Sequence, residues 1–136
     1  MGLVRGRCDQ QGVTIHVHIA ENLKDLELLA DFEQLRQVVV NLVLNSLDAL
    51  PRGGSIEIIV SQEANELSIQ ITDSGPGVSE GMLSRLFQPF SSDKETGLGL
   101  GLVISKRIID DHGGVIKVSN LPQGGASFTV TIPKGT

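Results

Sequence analysis

"ELSIQITDSGPGV" spans residues 66–78. Its first seven residues, with apolar Leu67, Ile69 and Ile71, are β-leaning, and they read as a strand. The strand then ends on a carboxylate, Asp73, followed by two glycines that flank a proline. Asp-Ser-Gly-Pro-Gly is good turn chemistry, and a turn alone accounts for much of it. A carboxylate at a strand end also accepts a hydrogen bond from an exocyclic amine, such as that of adenine. Gly75 and Gly77 would let backbone come close to a flat ring. Taken alone, the stretch supports both readings.

Working outward, "SIEIIVSQ" (55–62) pairs with this strand as a hairpin whose loop lies near Ala64–Asn65. "GVTIHVHIA" (12–20) alternates, so Val13, Ile15, Val17 and Ile19 share one face of a half-buried strand. His16 and His18 point to solvent on the other face. "DFEQLRQVVVNLVLNSLDAL" (31–50) has helical spacing, with Asp31 as N-cap, and "PRGG" ends it. "SEGMLSRLF" reads as a short helix capped by Ser79. "QPFSSDKETGLG" (88–99) is polar and broken by glycine, as a mobile loop would be. "LGLVISKRIIDDH" is a second amphipathic helix, stopped by Gly113–Gly114. "VIKVSN" and "ASFTVTIP" close the chain around "LPQGG". The order β-α-β-β-α-loop-α-β-β predicts an α/β (α+β) two-layer sandwich. It has one mixed sheet of about five strands with about three helices on one face. There is no repeat and no linker, so residues 1–136 read as one domain.

The 136 residues are 40% apolar and 20% charged, an ordinary globular composition. A net charge of −5 argues against nucleic acid or an anionic membrane as the main partner. No apolar run approaches the ~20 residues that a membrane-spanning helix needs. The single cysteine, Cys8, excludes an internal disulfide and suits a reducing, cytoplasmic compartment. With four Phe and no Trp or Tyr, the core must be built from Leu, Ile and Val.

Three further constellations carry chemistry. On the 31–50 helix, Gln34, Gln37, Asn41, Asn45 and Asp48 form one thin polar stripe on an otherwise apolar rod. A solvent-facing edge would explain a stripe, but such edges favour Lys, Glu and Arg. Two asparagines at i and i+4 are poor helix formers. They are neutral oxygen donors of the kind that share Mg²⁺ with phosphate. "TGLGLGL" (96–102) opens a helix, where the N–H groups of Gly97, Gly99 and Gly101 would cradle phosphates. It is not a P-loop, and the alternative is a flexible hinge. Lys94 lies in the loop before it, within reach of a terminal phosphate or simply solvated. Phe87 and Phe90, two of the four aromatics, suggest that this loop docks.

In this order, the pieces make the chain resemble the catalytic, ATP-binding domain of bacterial sensor histidine kinases. That domain has the Bergerat fold shared with gyrase, the Hsp90 chaperones and MutL. "NLVLNSLDAL" looks like the N box, "DSGPGV" the G1 box, "LFQPF" the F box and "TGLGLGL" the G2 box. "GGASFTVTIP" looks like the closing strand, and the likeness runs from about residue 12 to 133. "NLVLNSLDALPRGG" and "FQPFSSDK" look closest to the nitrogen-regulation (NtrB-like) type. The resemblance implies that Asn45 ligates Mg²⁺, with Asn41 and Asp48 near the phosphates. Asp73 would bond the adenine amine, with Gly75, Gly77 and Val78 shaping that pocket. Residues from about 80 to 98 would form the ATP lid. Lys94, Thr96, Gly97, Leu98, Gly99, Leu100, Gly101 and Leu102 would run past the phosphates. Asn41 and Lys94 are the residues with a catalytic role, and Ser127 or Thr129 would support the adenine end. The hydroxyl that the family often carries directly after the last strand's glycine is Ala126 here. A lysine common three residues after the second N-box asparagine is Asp48.

The gyrase-like ATPases keep a glutamate, the base that activates water, four residues before the metal-binding asparagine. Here that position is Asn41, so hydrolysis should be slow. This suits a domain that holds Mg·ATP until a histidine attacks in line. No histidine here has an acceptor context, so the dimerisation and phosphoacceptor helices would lie outside this chain. A response regulator would then receive the phosphate indirectly. The isolated domain should be a monomer and inactive without its acceptor. The competing readings are a non-catalytic nucleotide-binding or docking module of the same fold, and an anti-sigma-type serine kinase. A plain ATPase ranks last.

Overall fold

The computed structural model describes residues 2–19, 32–50, 52–63, 66–77, 98–122 and 124–133. Its elements are α1 (Gly2–Gln11), β1 (Val13–Ile19), α2 (Phe32–Asp48), β2 (Gly54–Glu63), β3 (Glu66–Asp73), α3 (Leu98–Asp111), β4 (Val115–Asn120) and β5 (Ala126–Pro133). The five strands form one mixed sheet in the order β1-β2-β3-β5-β4. The pair β1–β2 is parallel, and the other three pairs are antiparallel. Glu63 pairs with Glu66, so two residues join β2 to β3, as the hairpin reading required. The expected helix at 79–87 and the lid at 80–97 lie outside the described residues.

Strand alternation sorts the sheet into two faces. Ile56, Ile58, Leu67, Ile69, Ile71, Phe128, Val130, Ile132 and Ile116 point to the side where α2 and α3 lie. The helices answer with Leu35, Val38, Leu42, Val43 and Leu47 from α2, and Leu102, Ile108 and Ile109 from α3. Phe128 is the one aromatic in this core among the described residues. The aliphatic core expected from composition is therefore what forms. Helix α3 ends where Gly113 takes φ +72°. The Gly113 N–H then donates to Asp110 O at 3.0 Å, and the Gly114 N–H donates to Ile109 O at 2.9 Å. These are the two bonds of a glycine-stopped helix end.

Two expectations need correction. Helix α1 went unread, because GLVRGRCDQQ has two glycines and no apolar periodicity. It is held by what it meets: Cys8 enters the core, and Gln11 reaches the end of α2. Strand β1 is half-buried only at its start. Val13 is buried, but Val17 and Ile19 are 54% and 66% exposed. The strand is a sheet edge, and no helix among the described residues covers its far half.

Candidate functional site

The last turn of α2, the end of β3 and the start of β5 meet at one end of the sheet. Asp73 closes β3 there, opposite Ile56, and is 3% exposed. A carboxylate this deep needs hydrogen bonds. Oδ1 accepts the N–H of Gly75 at 2.9 Å and that of Ala126 at 3.4 Å. The second oxygen has no protein partner among the described residues. Main chain thus anchors one carboxylate oxygen and leaves the other open to a donor.

The loop after Asp73 is wedged on both sides. A Cβ on Gly75 would sit 3.0 Å from Ala49 O and 3.3 Å from Ala49 Cβ, so the loop lies directly on the end of α2. Gly77, at φ +85°, leaves room for Asn120 Oδ1 at 2.8 Å from where a Cβ would stand. From the β4–β5 turn, Gly125 presses on the Asp73 carbonyl so closely that any side chain there would collide with it. The glycines of the sequence therefore serve close approach of protein to protein, which holds Asp73 in place.

The polar stripe of α2 runs toward this end. Gln34 and Gln37 are exposed, while Asn41, Asn45 and Asp48 are half-buried. Asn41 Nδ2 donates to Ser105 Oγ of α3 at 3.3 Å, across the seam between the helices. Ser105 is itself fully buried. Asn45, one turn further on, makes no side-chain hydrogen bond among the described residues. A neutral amide oxygen with no protein partner among the described residues is of the type that suits a hard cation such as Mg²⁺. Helix α3 leads straight back into β4, so its N-terminus lies at the end where β4 and β3 finish. Gly99 and Gly101 belong to its first turn, whose free N–H groups and positive dipole end attract anions.

Not every expected residue joins this group. Val78, Lys94, Thr96 and Gly97 lie outside the described residues. Leu102 is 3% exposed and its side chain packs in the core. Ser127 and Thr129 are on the wrong side. They alternate with Ala126 and Phe128, and Ser127, itself 3% exposed, accepts hydrogen bonds at Oγ from Gln70 Nε2 at 3.1 Å and Thr72 Oγ1 at 3.3 Å on the face of the sheet away from α2 and α3. The Ala126 main chain, not a hydroxyl, supports Asp73. Sequence reasoning also missed Ser105 and Gln11, which act across 64 and 36 positions of sequence. A groove of about 330 Å³ along Glu33, Gln34, Arg36, Gln37 and Val40 sits on the first half of α2, away from Asp73.

A buried carboxylate, an asparagine helix and a glycine-opened helix now stand together. The family model for the "Histidine kinase-, DNA gyrase B-, and HSP90-like ATPase" matches residues 30–136. This chain belongs to that family. Within it, the domain has the character of a sensor histidine kinase catalytic domain. Sporulation kinase A of Bacillus subtilis is 38% identical over 104 residues, 76% of this chain and 17% of that kinase. The catalytic domain of histidine kinase ThkA, solved free of nucleotide, superposes with a TM-score of 0.86 at 31% identity, covering 98% of this chain and 86% of that one. ThkA in complex with the response regulator protein TrrA gives a TM-score of 0.81 at 30% identity, covering 98% of this chain and 38% of that one. The chain thus spans about a sixth of the length of the sporulation kinase.

Proposed function

We propose that this domain binds Mg·ATP and delivers its γ-phosphate to a histidine on a separate dimerisation domain of the same kinase. The observation that carries the reading is Asp73: buried, anchored through Oδ1 by two main-chain N–H groups, with its second oxygen unbonded among the described residues. An adenine amine is the donor that such an oxygen selects. Asn45 would hold Mg²⁺ against the phosphates, a role that fits its open amide oxygen. Asn41 and Asp48 would flank them, and the first turn of α3 would neutralise their charge. Lys94 and Thr96 of the lid, with Gly97, would close over the γ-phosphate. The N–P bond to the acceptor imidazole forms as the bond to the ADP oxygen breaks, and ADP leaves.

The histidines support an acceptor outside this domain. His112 Nδ1 is engaged with Ile108 O at 2.8 Å, and His16 and His18 lie on the exposed face of β1. At the position of the water-activating base stands Asn41, an amide bonded to Ser105. An amide takes no proton from water, so ATP is kept for transfer. By likeness to ThkA, a response regulator is the next recipient. The "FQPFSSDK" stretch favours the NtrB-like type, and the work of such a domain is cytoplasmic. Among the described residues no helix is long and apolar enough to cross a membrane.

The test is calorimetric titration of ATP with and without Mg²⁺, with GTP as control, followed by phosphotransfer to a dimerisation-helix protein. Adenine-selective, Mg²⁺-dependent binding with labelled histidine supports the kinase. Binding with labelled serine would favour the anti-sigma type. Absence of any binding would move the docking module ahead.

A further inference from the structure

We infer that Gln11, outside the nucleotide pocket, is a positioning residue for it, and that α1 is thereby coupled to adenine recognition. The inference rests on the nucleotide-binding reading above. Four contacts in series carry it. Gln11 Nε2 donates to Leu47 O at 2.8 Å and to Leu50 O at 3.0 Å. Both acceptors belong to the last turn of α2 and the residues after it; each also accepts one main-chain N–H, from Leu50 and Gly53, so the Gln11 amide fills the second acceptor site of both. One amide of α1 therefore caps the helix that bears Asn41 and Asn45. Between those two carbonyls sits Ala49. Its own carbonyl and Cβ form the floor on which Gly75 lies, at 3.0 and 3.3 Å from a Cβ position there. Gly75 in turn donates its N–H to Asp73 Oδ1 at 2.9 Å.

The neighbouring turns reinforce the path. Gly53 lies against the main chain of Gln11 and Gly12, 3.3 and 3.1 Å from its Cβ position to their carbonyls. Ser74 Oγ accepts the N–H of Ser55, and the Ser74 N–H donates to Ser55 O. The chain from the Gln11 amide to the Asp73 carboxylate thus runs through packed main chain at each step. A displacement of the last turn of α2 has no slack in which to vanish before Gly75.

Three variants of the 136-residue chain separate this role from plain stability. Gln11→Met keeps the length of the side chain and removes the donor. Gln11→Lys restores a donor and places a positive charge at the helix C-terminus, where it is favoured. Gln11→Ala removes both stem and donor. Each is titrated with ATP and GTP in Mg²⁺, at a temperature where its own unfolding curve shows it fully folded. Gln11→Met should weaken ATP binding about 2- to 30-fold, the span of effects from residues that do not touch the ligand. It should also narrow the ATP-over-GTP preference, and Gln11→Lys should recover both. A lower melting temperature with unchanged ATP affinity and unchanged preference would leave Gln11 a structural cap and overturn the inference. If the unsubstituted chain binds no ATP, the nucleotide reading fails first and the inference goes with it.

Discussion

The proposed function gives Asp73 and Asn45 different halves of the ligand, and single substitutions test each. Asp73→Ala removes the open oxygen and strands the N–H groups of Gly75 and Ala126. ATP affinity should fall by about 1–3 kcal/mol, the cost of losing a buried bond and its partner. Calorimetry with ATP and GTP should show the adenine preference lost with it. Asn45→Ala should leave a weaker ATP affinity that no longer responds to Mg²⁺, read by titration at several Mg²⁺ concentrations. One turn-mate behaves in the opposite way. Ser46 is fully buried on α2, and its Oγ has no partner among the described residues. Ser46→Ala should raise stability by about 1 kcal/mol, since it removes an unmet hydroxyl and improves helix propensity. Thermal unfolding without nucleotide checks the sign. The helix stripe with Asn41 and Asn45 and the strand that ends on Asp73 follow from local spacing, whereas the partners of Ser127, Gln70 and Thr72, are set by the pairing of β3 with β5.

Among the elements, the hairpin β2–β3, both long helices and the closing strands β4 and β5 follow from local pattern. Helix α1 does not, because its stability comes from Gln11 and Cys8 meeting residues far along the chain. The exposure at the end of β1 was also hidden. Alternation tells which side chains share a face, but not whether a helix lies over that face. The β4–β5 turn offers a test at this scale. Gly125 has φ +99°, and a side chain there would collide with the Asp73 carbonyl. Gly125→Ala should destabilise the fold by about 1–3 kcal/mol or more, through strain and displacement together. Denaturant unfolding reads the first effect. An accompanying loss of ATP affinity, measured on the folded fraction, reads the displacement of Asp73.

For the whole molecule, the pocket is built at the end of a single core, so ligand and fold are linked. ATP in Mg²⁺ should stabilise the fold in proportion to the logarithm of its concentration, by about 2.7 kcal/mol at a hundredfold excess over Kd, read as a rise in melting temperature. GTP should do much less. Composition predicted the aliphatic interior. It could not place the residues that brace the pocket from α1 and α3, since these meet α2 only after the chain has closed.

The parallel pairing of β1 with β2 bears on the order in which the chain assembles. The β2–β3 hairpin closes over two residues, so its contacts form with little loss of chain freedom. Val13 meets Gly54 only after some forty intervening residues, α2 among them, have been laid down. Such non-local contacts form late in two-state folding. The hairpin and α2 would form the nucleus, and β1, with α1 behind it, would dock last. Substitutions at Ile58 or Ile71 should then slow folding, whereas Val13→Ala should mainly hasten unfolding, as stopped-flow chevrons would show.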